Sequence, residues 1–335
     1  MGSTPILRDI PDPIQQEVNN FVETQRDIFR YESVILPLAD NLPPPTPSLA
    51  PQQQQPTIHP SKKNLIPQTF FATHNINGLR NDITKLNHLL IFAASHNIDI
   101  LVITETNLPS RSSKFIDTTS YSYISYWTGS DNKIKGSGVG ILVANHLARH
   151  VHITDTTTIQ HYFIKLTLCF KGCYLKVYGL YCPPADRLTQ QRILKFLKQE
   201  HIITKKFNFH YSLILGDRNS IVDNSLDRDG NTRLNKQPSS LVNFLVNNLY
   251  LDTYRFLHPS KREYTWTAKR LDITISTRID HIWVSNNWVR SIMFCSIENM
   301  DTITHSDHNM ATCMLDTGDI IRNFHVSARR RRDKP

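Results

Sequence analysis

The chain has 335 residues, of which 39% are hydrophobic and 20% are charged, so it can bury a sizeable core. Its formal net charge is +9, and residues 67–316 alone hold 27 lysines and arginines against 20 aspartates and glutamates. No apolar run reaches the roughly 18 residues of a membrane span, and we find no secretory segment, so we expect a protein that is neither membrane-spanning nor secreted. The basic balance favours a polyanionic partner.

The first 67 residues differ in composition from the rest of the chain. Residues 1–36 contain one predicted amphipathic helix, which begins after Asp12 and Pro13 and keeps an apolar stripe to Ile28. Its partner is unknown, and it either binds another protein or packs on its own chain. Residues 37–67 are rich in proline and glutamine, and 12 of the 18 prolines precede residue 68. We therefore expect a disordered linker over 37–67.

Residues 68–316 alternate between short apolar runs and a few helical patterns. Apolar runs predict strands at 69–73, 99–103, 121–127, 139–143, 162–169, 174–181, 212–215, 280–284, 291–297 and 310–315. Helical spacing predicts helices at 82–96, 187–203 and 238–249. With no internal repeat, this order predicts one layered α/β domain of two packed sheets.

The basic tail, residues 317–335, ends in four consecutive arginines, Arg329 to Arg332. Such a run is typical of a nuclear import signal or a nonspecific phosphate binder, and we expect a nuclear protein; a basic end with no role is the alternative. The five cysteines are odd in number and lack a second pair at zinc-binding spacing, so we expect free thiols.

Five short polar motifs each follow or adjoin a predicted strand. They are His74-Asn75-Ile76-Asn77-Gly78-Leu79, Thr104-Glu105-Thr106, Gly216-Asp217-Arg218-Asn219, Arg278-Ile279-Asp280-His281 and Ser306-Asp307-His308. Carboxylate and amide oxygens suit a hard cation such as Mg²⁺, and a bound metal polarises a phosphoryl oxygen. Each motif alone is a weak signal, because a solvated loop or an ordinary turn explains it better. Together and in this order, they predict a magnesium-dependent phosphodiesterase.

Two pairs of side chains carry most of that interpretation. Side chains alternate along a strand, so Asp217 and Asn219 are expected on one face and Arg218 on the opposite face. An acid and an amide on one face can hold and activate a water. An unperturbed histidine titrates near neutral pH, which makes His308 the best candidate for an ionisable group, and Asp280 is the expected carboxylate partner of its second ring nitrogen.

The chain also resembles the endonuclease/exonuclease/phosphatase superfamily, which includes DNase I and the apurinic/apyrimidinic endonucleases. The likeness is strongest to the endonuclease domains of non-LTR retrotransposons. Besides the five motifs, it is carried by Lys135 to Val143, Tyr181-Cys182-Pro183-Pro184 and Tyr264-Thr265-Trp266. The resemblance covers about three quarters of the chain and implies a DNase I-like fold, a four-layer α/β sandwich of two mixed sheets flanked by helices.

The resemblance also implies a metal site. By position, Glu105 would bind Mg²⁺ with Asn77 and Asp307 nearby, and Mn²⁺ can substitute for it. The substrate implied is DNA, with RNA as a further possibility, and the product is a nick with a 3′-hydroxyl end. In a retrotransposon such an end primes reverse transcription.

The same resemblance implies catalytic roles for six residues. Asp217 would orient or deprotonate the attacking water with the help of Asn219. Asn75 and Tyr181 would hold the phosphate. His308, paired with Asp280, would stabilise the negative charge of the transition state. Which of Asp217 and His308 takes the proton stays open.

Three positions depart from the family pattern. Thr104 stands where glutamine commonly precedes the metal-binding glutamate, and Pro184 stands where the repair enzymes carry asparagine. Arg218 replaces an apolar residue, and it is either a buried charge without a partner or a phosphate contact. No reverse transcriptase follows Ser306-Asp307-His308, from which we expect a truncated element, a stand-alone relic or a domesticated nuclease.

Two other functions remain open. One is a phosphomonoesterase of the same superfamily, and the other is a decayed domain that binds nucleic acid without cleaving it. The polar segment Leu226-Asp227-Arg228-Asp229-Gly230 is expected to be an ordinary turn, with a DNA-contacting loop or an extra metal ligand as the alternatives.

Overall fold

The computed structural model describes residues 68–318, except 114, 133, 171–172, 207–209, 231–237 and 271–272. The predicted N-terminal helix, the linker and the tail beyond Gly318 lie outside the described residues. The predicted domain boundaries therefore stay predictions.

The described residues form strands and helices in a mixed order. The strands are β1 (Gln68–Asn75), β2 (Ile100–Thr104), β3 (Tyr123–Thr128), β4 (Val139–Ala144), β5 (Val151–Asp155), β6 (Phe163–Phe170), β7 (Cys173–Tyr181), β8 (His210–Asp217), β9 (Arg228–Asp229), β10 (Leu251–Asp252), β11 (Trp266–Arg270), β12 (Ile273–Thr277), β13 (Asp280–Val284), β14 (Ile292–Glu298) and β15 (Met310–Asp316). The helices are α1 (Thr84–Ser95), α2 (Ser110–Ser113), α3 (Asn145–Ala148), α4 (Arg187–Lys206), α5 (Ser240–Asn247), α6 (Thr253–Leu257) and α7 (Asp301–Thr304). None of these described helices is long and apolar enough to cross a membrane.

The strands within the described ranges pair into three sheets. The first sheet has the order β14-β15-β1-β2-β4-β3, and the second has the order β10-β13-β8-β7-β6-β5. Both sheets are mixed, because β1 runs parallel to β2 and β7 runs parallel to β8 among antiparallel neighbours. A small third sheet has the order β11-β12-β9.

The helices pack on the outer faces of the two sheets, which gives four layers. Helix α1 buries Leu86, Leu89 and Leu90 in one core cluster that includes Leu101 and Leu142 of the first sheet. Helices α4 and α5 bury a second cluster against the second sheet, made chiefly of Ile193, Leu197, Phe244, Ile214 and Trp283.

The inner faces of the two sheets pack directly on each other. A Cβ added to Gly179 of β7 would lie 3.0 Å from Ile141 Cδ1 and 3.1 Å from Val102 Cγ1, across the gap between the sheets. The predicted four-layer α/β sandwich of two mixed sheets is confirmed.

Every strand and helix predicted within 68–316 is present, with shifted ends. The missed elements are short or exposed, and the largest is the hairpin of β11 and β12. Ile273 of that hairpin is 42% exposed, because the hairpin lies outside the two main sheets and buries no continuous apolar face. An apolar run is the signal that predicts a strand, and this hairpin lacks one.

The topology brings the polar motifs to one edge of the sandwich. In the first sheet, Asn75 is level with Thr104, the last residue of β2. In the second, Asp217 at the end of β8 is level with Tyr181 on one side and with Asp280 on the other. Because these strand ends are aligned, side chains from both sheets lie around one opening.

A glycine makes the approach to Asp217 possible. Gly216 has φ +136°, and a Cβ there would lie 1.8 Å from the carbonyl oxygen of Leu180. Only a residue without a side chain fits so close to the neighbouring strand. The glycine of the Gly-Asp-Arg-Asn motif is therefore required by packing.

Candidate active site

Asn75 connects the two sheets at the site. Its Nδ2 donates to Glu105 Oε1 and to Asp217 Oδ2, both at 2.9 Å, and its Oδ1 accepts the backbone N–H of Asn77 at 3.0 Å. The side chain is almost fully buried, with 1% of its surface exposed. Because all its polar atoms are bonded, Asn75 holds Glu105 of the first sheet and Asp217 of the second in fixed relation.

Asp217 is a buried carboxylate held by a tight turn. Asn219 has φ 49°, and this left-handed backbone turns its N–H back to Asp217 Oδ1 at 2.7 Å. The Nδ2 of Asn219 donates to the carbonyl of Cys182 at 3.2 Å. Burial, and after it the charge of Asp280, raise the pKa of Asp217 to about 8. A carboxylate with such a pKa is suited to accept a proton near neutral pH.

His308 and Asp280 form a buried pair. His308 Nδ1 lies 2.8 Å from Asp280 Oδ2, and the backbone N–H of Asp280 donates to Thr265 Oγ1 at 3.0 Å. Burial alone would lower the pKa of His308, but the charge and hydrogen bond of Asp280 outweigh it and raise the pKa to about 9. The imidazolium is therefore the main form at neutral pH.

Asp217, Asp280 and His308 make a compact cluster. One ligand atom of each lies within 4.8 Å of the others. Oδ1 of Asp280 is buried and has no hydrogen-bond partner among the described residues. Two buried carboxylates this close repel each other, so the cluster gains from a proton, a cation or the positive charge of His308.

Asp307 faces the cleft from the neighbouring loop. Its Oδ1 accepts Asn77 Nδ2 at 2.9 Å and its Oδ2 accepts Trp266 Nε1 at 2.8 Å. Ser306 ties this loop to β1, because its Oγ donates to the carbonyl of Asn75 at 2.7 Å and accepts the N–H of His308 at 3.2 Å. The loop is thus fixed at three points around the opening.

Tyr181 lies beside Glu105. Its side chain is 5% exposed, and its hydroxyl is near both Glu105 and Asn219. Burial, and then the charge of Glu105, raise the pKa of Tyr181 far above its ordinary value. The phenol therefore stays protonated and can donate a hydrogen bond at any physiological pH.

The residues present fit a divalent cation. Asn77, Glu105 and Asp307 all line one cleft of about 650 Å³, and each side chain offers an oxygen atom. Oxygen ligands are those that hard cations take in proteins. Glu105 also has φ 52°, a left-handed backbone that is unusual for glutamate and that a functional position commonly retains.

The rim of the cleft is basic. Lys135 lines both the main cleft and an adjacent depression of about 400 Å³, and Arg80 and Lys85 line the depression. Arg228 lines the main cleft near the third sheet. Cations around an acidic centre are the arrangement expected for a substrate held by its phosphates.

A sequence profile described as the endonuclease/exonuclease/phosphatase family matches residues 72–308. The chain belongs to this family. The predicted resemblance is confirmed at this level, and so is the prediction of a hydrolytic nuclease or phosphodiesterase. This family generally depends on a divalent metal ion, and the buried acid and histidine cluster agrees with that dependence.

Solved structures of nucleases share the fold. An AP endonuclease from Leishmania major superposes with a TM-score of 0.58 at 16% identity, over 74% of this chain and 88% of that one. An AP endonuclease from Archaeoglobus fulgidus gives 0.55 at 18%, over 74% and 99%. The Neisseria 3′ phosphatase NExo, solved with a product DNA hairpin, gives 0.54 at 20%, over 74% and 99%. At these identities the likeness shows the fold alone.

All nine predicted site residues of this family member lie together at the same edge of the sandwich. The metal candidates Asn77, Glu105 and Asp307 line the cleft, and the six catalytic candidates surround or underlie it: Asn75, Tyr181, Asp217, Asn219, Asp280 and His308. Their individual roles stay predictions.

Arg218 is buried, which is one of the two alternatives that the sequence allowed. Its side chain is 2% exposed, packs its guanidinium 5.5 Å from the ring centre of Trp283 and donates through Nη2 to the carbonyl of Ile214 at 3.1 Å. Burial lowers the pKa of Arg218 to about 9. Arg218 is among the residues that line the cleft, but its Nε and Nη1 are buried.

The sequence missed a buried ion-pair network behind the site. Arg278 bonds Asp227 through Nε at 2.9 Å and Asp252 through Nη2 at 2.7 Å. Asp227, expected in an ordinary turn, is fully buried. An arginine 51 residues away closes the pairing, and no local pattern encodes such a partner.

Asn107 is a further missed residue. Its Oδ1 accepts the N–H of Gly136 at 2.8 Å and of Ser137 at 3.2 Å, which holds the turn that carries Lys135 against the end of β2. The signal in the sequence was an asparagine two residues after Glu105, in the stretch where turns are expected.

Proposed function

We propose that this protein is a magnesium-dependent endonuclease that hydrolyses DNA phosphodiester bonds and leaves a 3′-hydroxyl nick. The observation that carries the proposal is the convergence of Asp217, Asp280 and His308 within 4.8 Å, joined through Asn75 to Glu105 in a cleft with a basic rim. A retrotransposon origin is part of the proposal, supported by Pro184 and by the Tyr-Cys-Pro-Pro segment.

In this proposal the water is activated by Asp217. Its carboxylate, oriented by the N–H of Asn219, takes a proton from the water, and the oxygen attacks phosphorus. The bond between phosphorus and the 3′ oxygen breaks. The phosphate stays on the 5′ end of the downstream fragment, and the 3′ oxygen of the upstream fragment gains a proton from water and becomes a hydroxyl. Asp217 is preferred to His308 as the base because the Asn219 N–H orients its carboxylate, whereas Asp280 stabilises His308 as an imidazolium that can donate a hydrogen bond.

The remaining residues hold charge and geometry. The imidazolium of His308, fixed by Asp280, donates to a phosphate oxygen as negative charge builds there. Tyr181 donates its hydroxyl, and Asn75 keeps the acids in register. Mg²⁺, when bound by Glu105 with Asn77 and Asp307 nearby, would polarise a phosphoryl oxygen and offset its charge.

DNA is the proposed substrate because the rim of the cleft is basic and an adjacent depression also carries basic residues. Arg80, Lys85 and Lys135 extend the positive charge away from the acids, which suits a polymer with several phosphates rather than a single phosphate ester. The protein similar in fold from Neisseria is described as a 3′ phosphatase with product DNA, so removal of a 3′-terminal phosphate from DNA is the second candidate.

One assay separates these candidates. The purified full chain is incubated with supercoiled plasmid and Mg²⁺, and the nicked product is offered to a DNA polymerase without prior phosphatase treatment. We expect nicks that the polymerase extends directly. A substrate panel with a 3′-phosphorylated oligonucleotide and an inositol phosphate runs in parallel. Release of phosphate without nicking would favour the phosphatase, and DNA binding with no cleavage at any Mg²⁺ or Mn²⁺ concentration would favour a decayed domain.

A further inference from the structure

The helical layer outside the second sheet carries positive charge and no exposed acid. Helix α4 has six basic residues, all exposed, which are Arg187, Arg192, Lys195, Lys198, Lys205 and Lys206. Its one acid, Glu200, is 8% exposed and pairs with Lys165 and Lys176 beneath the helix. Helix α5, which shares a core cluster with α4, has no charged residue. Solvated surfaces normally mix charges of both signs, so this layer differs from an ordinary surface.

The cations of α4 are crowded on the half of the helix that faces solvent. The other half packs on the sheet through residues such as Ile193 and Leu197. Lys195 lies three residues from both Arg192 and Lys198, a spacing at which helix side chains are neighbours and like charges repel. Within the described ranges, neither Lys195 nor Lys198 forms an ion pair with an acid. A bound anion would relieve the repulsion.

Helix α4 begins at the cleft and leads away from it. The helix connects β7 to β8, and these strands are parallel, so it runs from the edge of the sandwich that holds the site to the opposite edge. Near its start, Gln190 lines the cleft, and its Nε2 donates to the carbonyl of Pro183 at 2.7 Å. At 1.5 Å per residue, the helix spans about 30 Å.

The positive surface continues at the far end of the helix. A depression of about 360 Å³ is lined there by Lys205 and His201 of α4 and by His210 at the start of β8. Among the described residues that line this depression, none is a carboxylate. The basic surface therefore extends from the edge of the cleft to the opposite edge of the sandwich.

A polyanion suits this surface better than a small anion. The cations are spread along the helix and do not gather around one point, which matches a strand with phosphates at regular intervals. An anionic lipid surface is the other candidate, because Leu188 and Ile202 between the cations are 68% and 69% exposed. Nucleic acid is favoured because α4 starts at the cleft and because the apolar face of the helix is already buried against the sheet.

We propose that the exposed face of α4 is a second nucleic-acid-binding surface, which holds a flanking segment of the nucleic acid that occupies the cleft. The identity of the ligand rests on the proposed function, whereas the surface rests on the charges of α4. Because α4 leads away from the cleft edge, a flank that follows it must turn out of the cleft. An unpaired strand bends more easily than a duplex, whose bending costs free energy. The surface therefore prefers a single-stranded flank beside the duplex.

The test compares two DNA ligands. One is a duplex of about 12 base pairs, and the other is the same duplex with about ten unpaired nucleotides at each end, roughly enough to follow the helix. Full-length protein with Glu105→Ala, which is expected not to cleave, binds each ligand over a range of NaCl concentrations. The test variant also carries Lys195→Gln and Lys198→Gln.

The expected result is a change in salt dependence for the extended ligand only. Each single-strand phosphate contact contributes about 0.7 to the slope of log K against log salt, so the loss of both lysines should lower that slope by about 1.4. If the two lines meet at 1 M salt, binding at 0.1 M is about 25-fold weaker. Affinity for the short duplex should stay unchanged.

Matched variants make the result specific. Lys195→Arg with Lys198→Arg keeps both charges and should keep the slope. Arg149→Gln with Arg290→Gln removes two exposed charges outside α4 and outside the lining of the cleft, and the difference between the two ligands should persist. Glutamine forms helices about as well as lysine and removes the repulsion, so the glutamine variant should unfold at the same or a slightly higher temperature.

Three outcomes would overturn the proposal. The first is an unchanged slope on the extended ligand. The second is an equal loss on both ligands, because the lysines would then act only through the general charge of the protein. The third is binding to phosphatidylserine vesicles that depends on Lys195 and Lys198 while the DNA slope is unchanged, which would assign the surface to an anionic lipid.

The plasmid assay keeps this proposal separate from the endonuclease proposal. If wild type does not nick DNA but Lys195 and Lys198 still govern affinity for the extended ligand, the endonuclease proposal fails and the surface stands. If wild type nicks DNA and the glutamine variant binds both ligands normally, the surface fails and the endonuclease proposal stands. Absence of binding to either ligand would refute the surface.

Discussion

Replacing Arg278 by methionine should destabilise the protein strongly and in a pH-dependent way. Arg278 is 1% exposed and makes four charged hydrogen bonds to Asp227 and Asp252, at 2.7 to 3.1 Å. Methionine fills a similar volume but leaves both carboxylates buried without their main partner. Removing one partner of a buried pair costs about 3–5 kcal/mol. For a domain of this size that lowers the unfolding temperature by roughly 6–20 °C.

The pH dependence identifies the cause. Burial would raise the pKa of Asp252, but the charge of Arg278 holds it well below its ordinary value. Its contribution to the free energy of unfolding is therefore present above the unfolded pKa of about 4 and is lost as pH falls below that. In Arg278→Met the acids have raised pKa values, so the variant loses most stability at high pH.

Calorimetric unfolding at pH 8 and pH 5 measures the effect, with Arg149→Met as the exposed control. We expect a gap between Arg278→Met and wild type that is widest at pH 8 and narrower at pH 5. A gap below about 1 kcal/mol, typical of an exposed ion pair, or one independent of pH, would refute the reasoning.

Three further predictions concern the site. Asp280→Asn removes the charge that raises the pKa of His308 to about 9, and burial then lowers that pKa below the ordinary 6.5 of histidine. The rate of nicking should therefore fall about tenfold or more at pH 8 and less at pH 6, which a pH–rate profile would record. Ser306→Ala removes the bridge between Asn75 and His308 and should cost about 1–3 kcal/mol of stability in urea unfolding, with slower nicking. EDTA should stop nicking by wild type, and added Mg²⁺ should restore it, whereas activity persisting in EDTA would argue against a metal.

Much of the fold follows from local patterns. The continuously apolar run before Glu105 predicts a strand buried on both faces, and β2 is fully buried. The ends of such strands place Asn75, Glu105 and Asp217 at one edge, because parallel neighbours end together. The partner of His308 was also predictable, since Asp280 begins the strand paired with β8.

What the sequence could not supply depends on pairing across long separations. Strand alternation predicted Asp217 and Asn219 on one face, but it does not apply after Asp217 because Asn219 has a left-handed backbone. The two residues come together through a turn instead. Asp227 is buried only because Arg278 reaches it. The environment of Arg218 depends on Trp283, a residue of another strand.

The central claim is that Glu105, at the end of a strand of the first sheet, holds a divalent cation beside a backbone phosphate, within reach of Asp217 from the second sheet and of His308. The most direct measurement is the rate of plasmid nicking as Mg²⁺ is titrated, for wild type, Glu105→Ala and His308→Ala, with circular dichroism to verify folding. Metal-dependent nicking by wild type that both folded variants lose is the result expected. Nicking that persists unchanged in both variants would contradict the account.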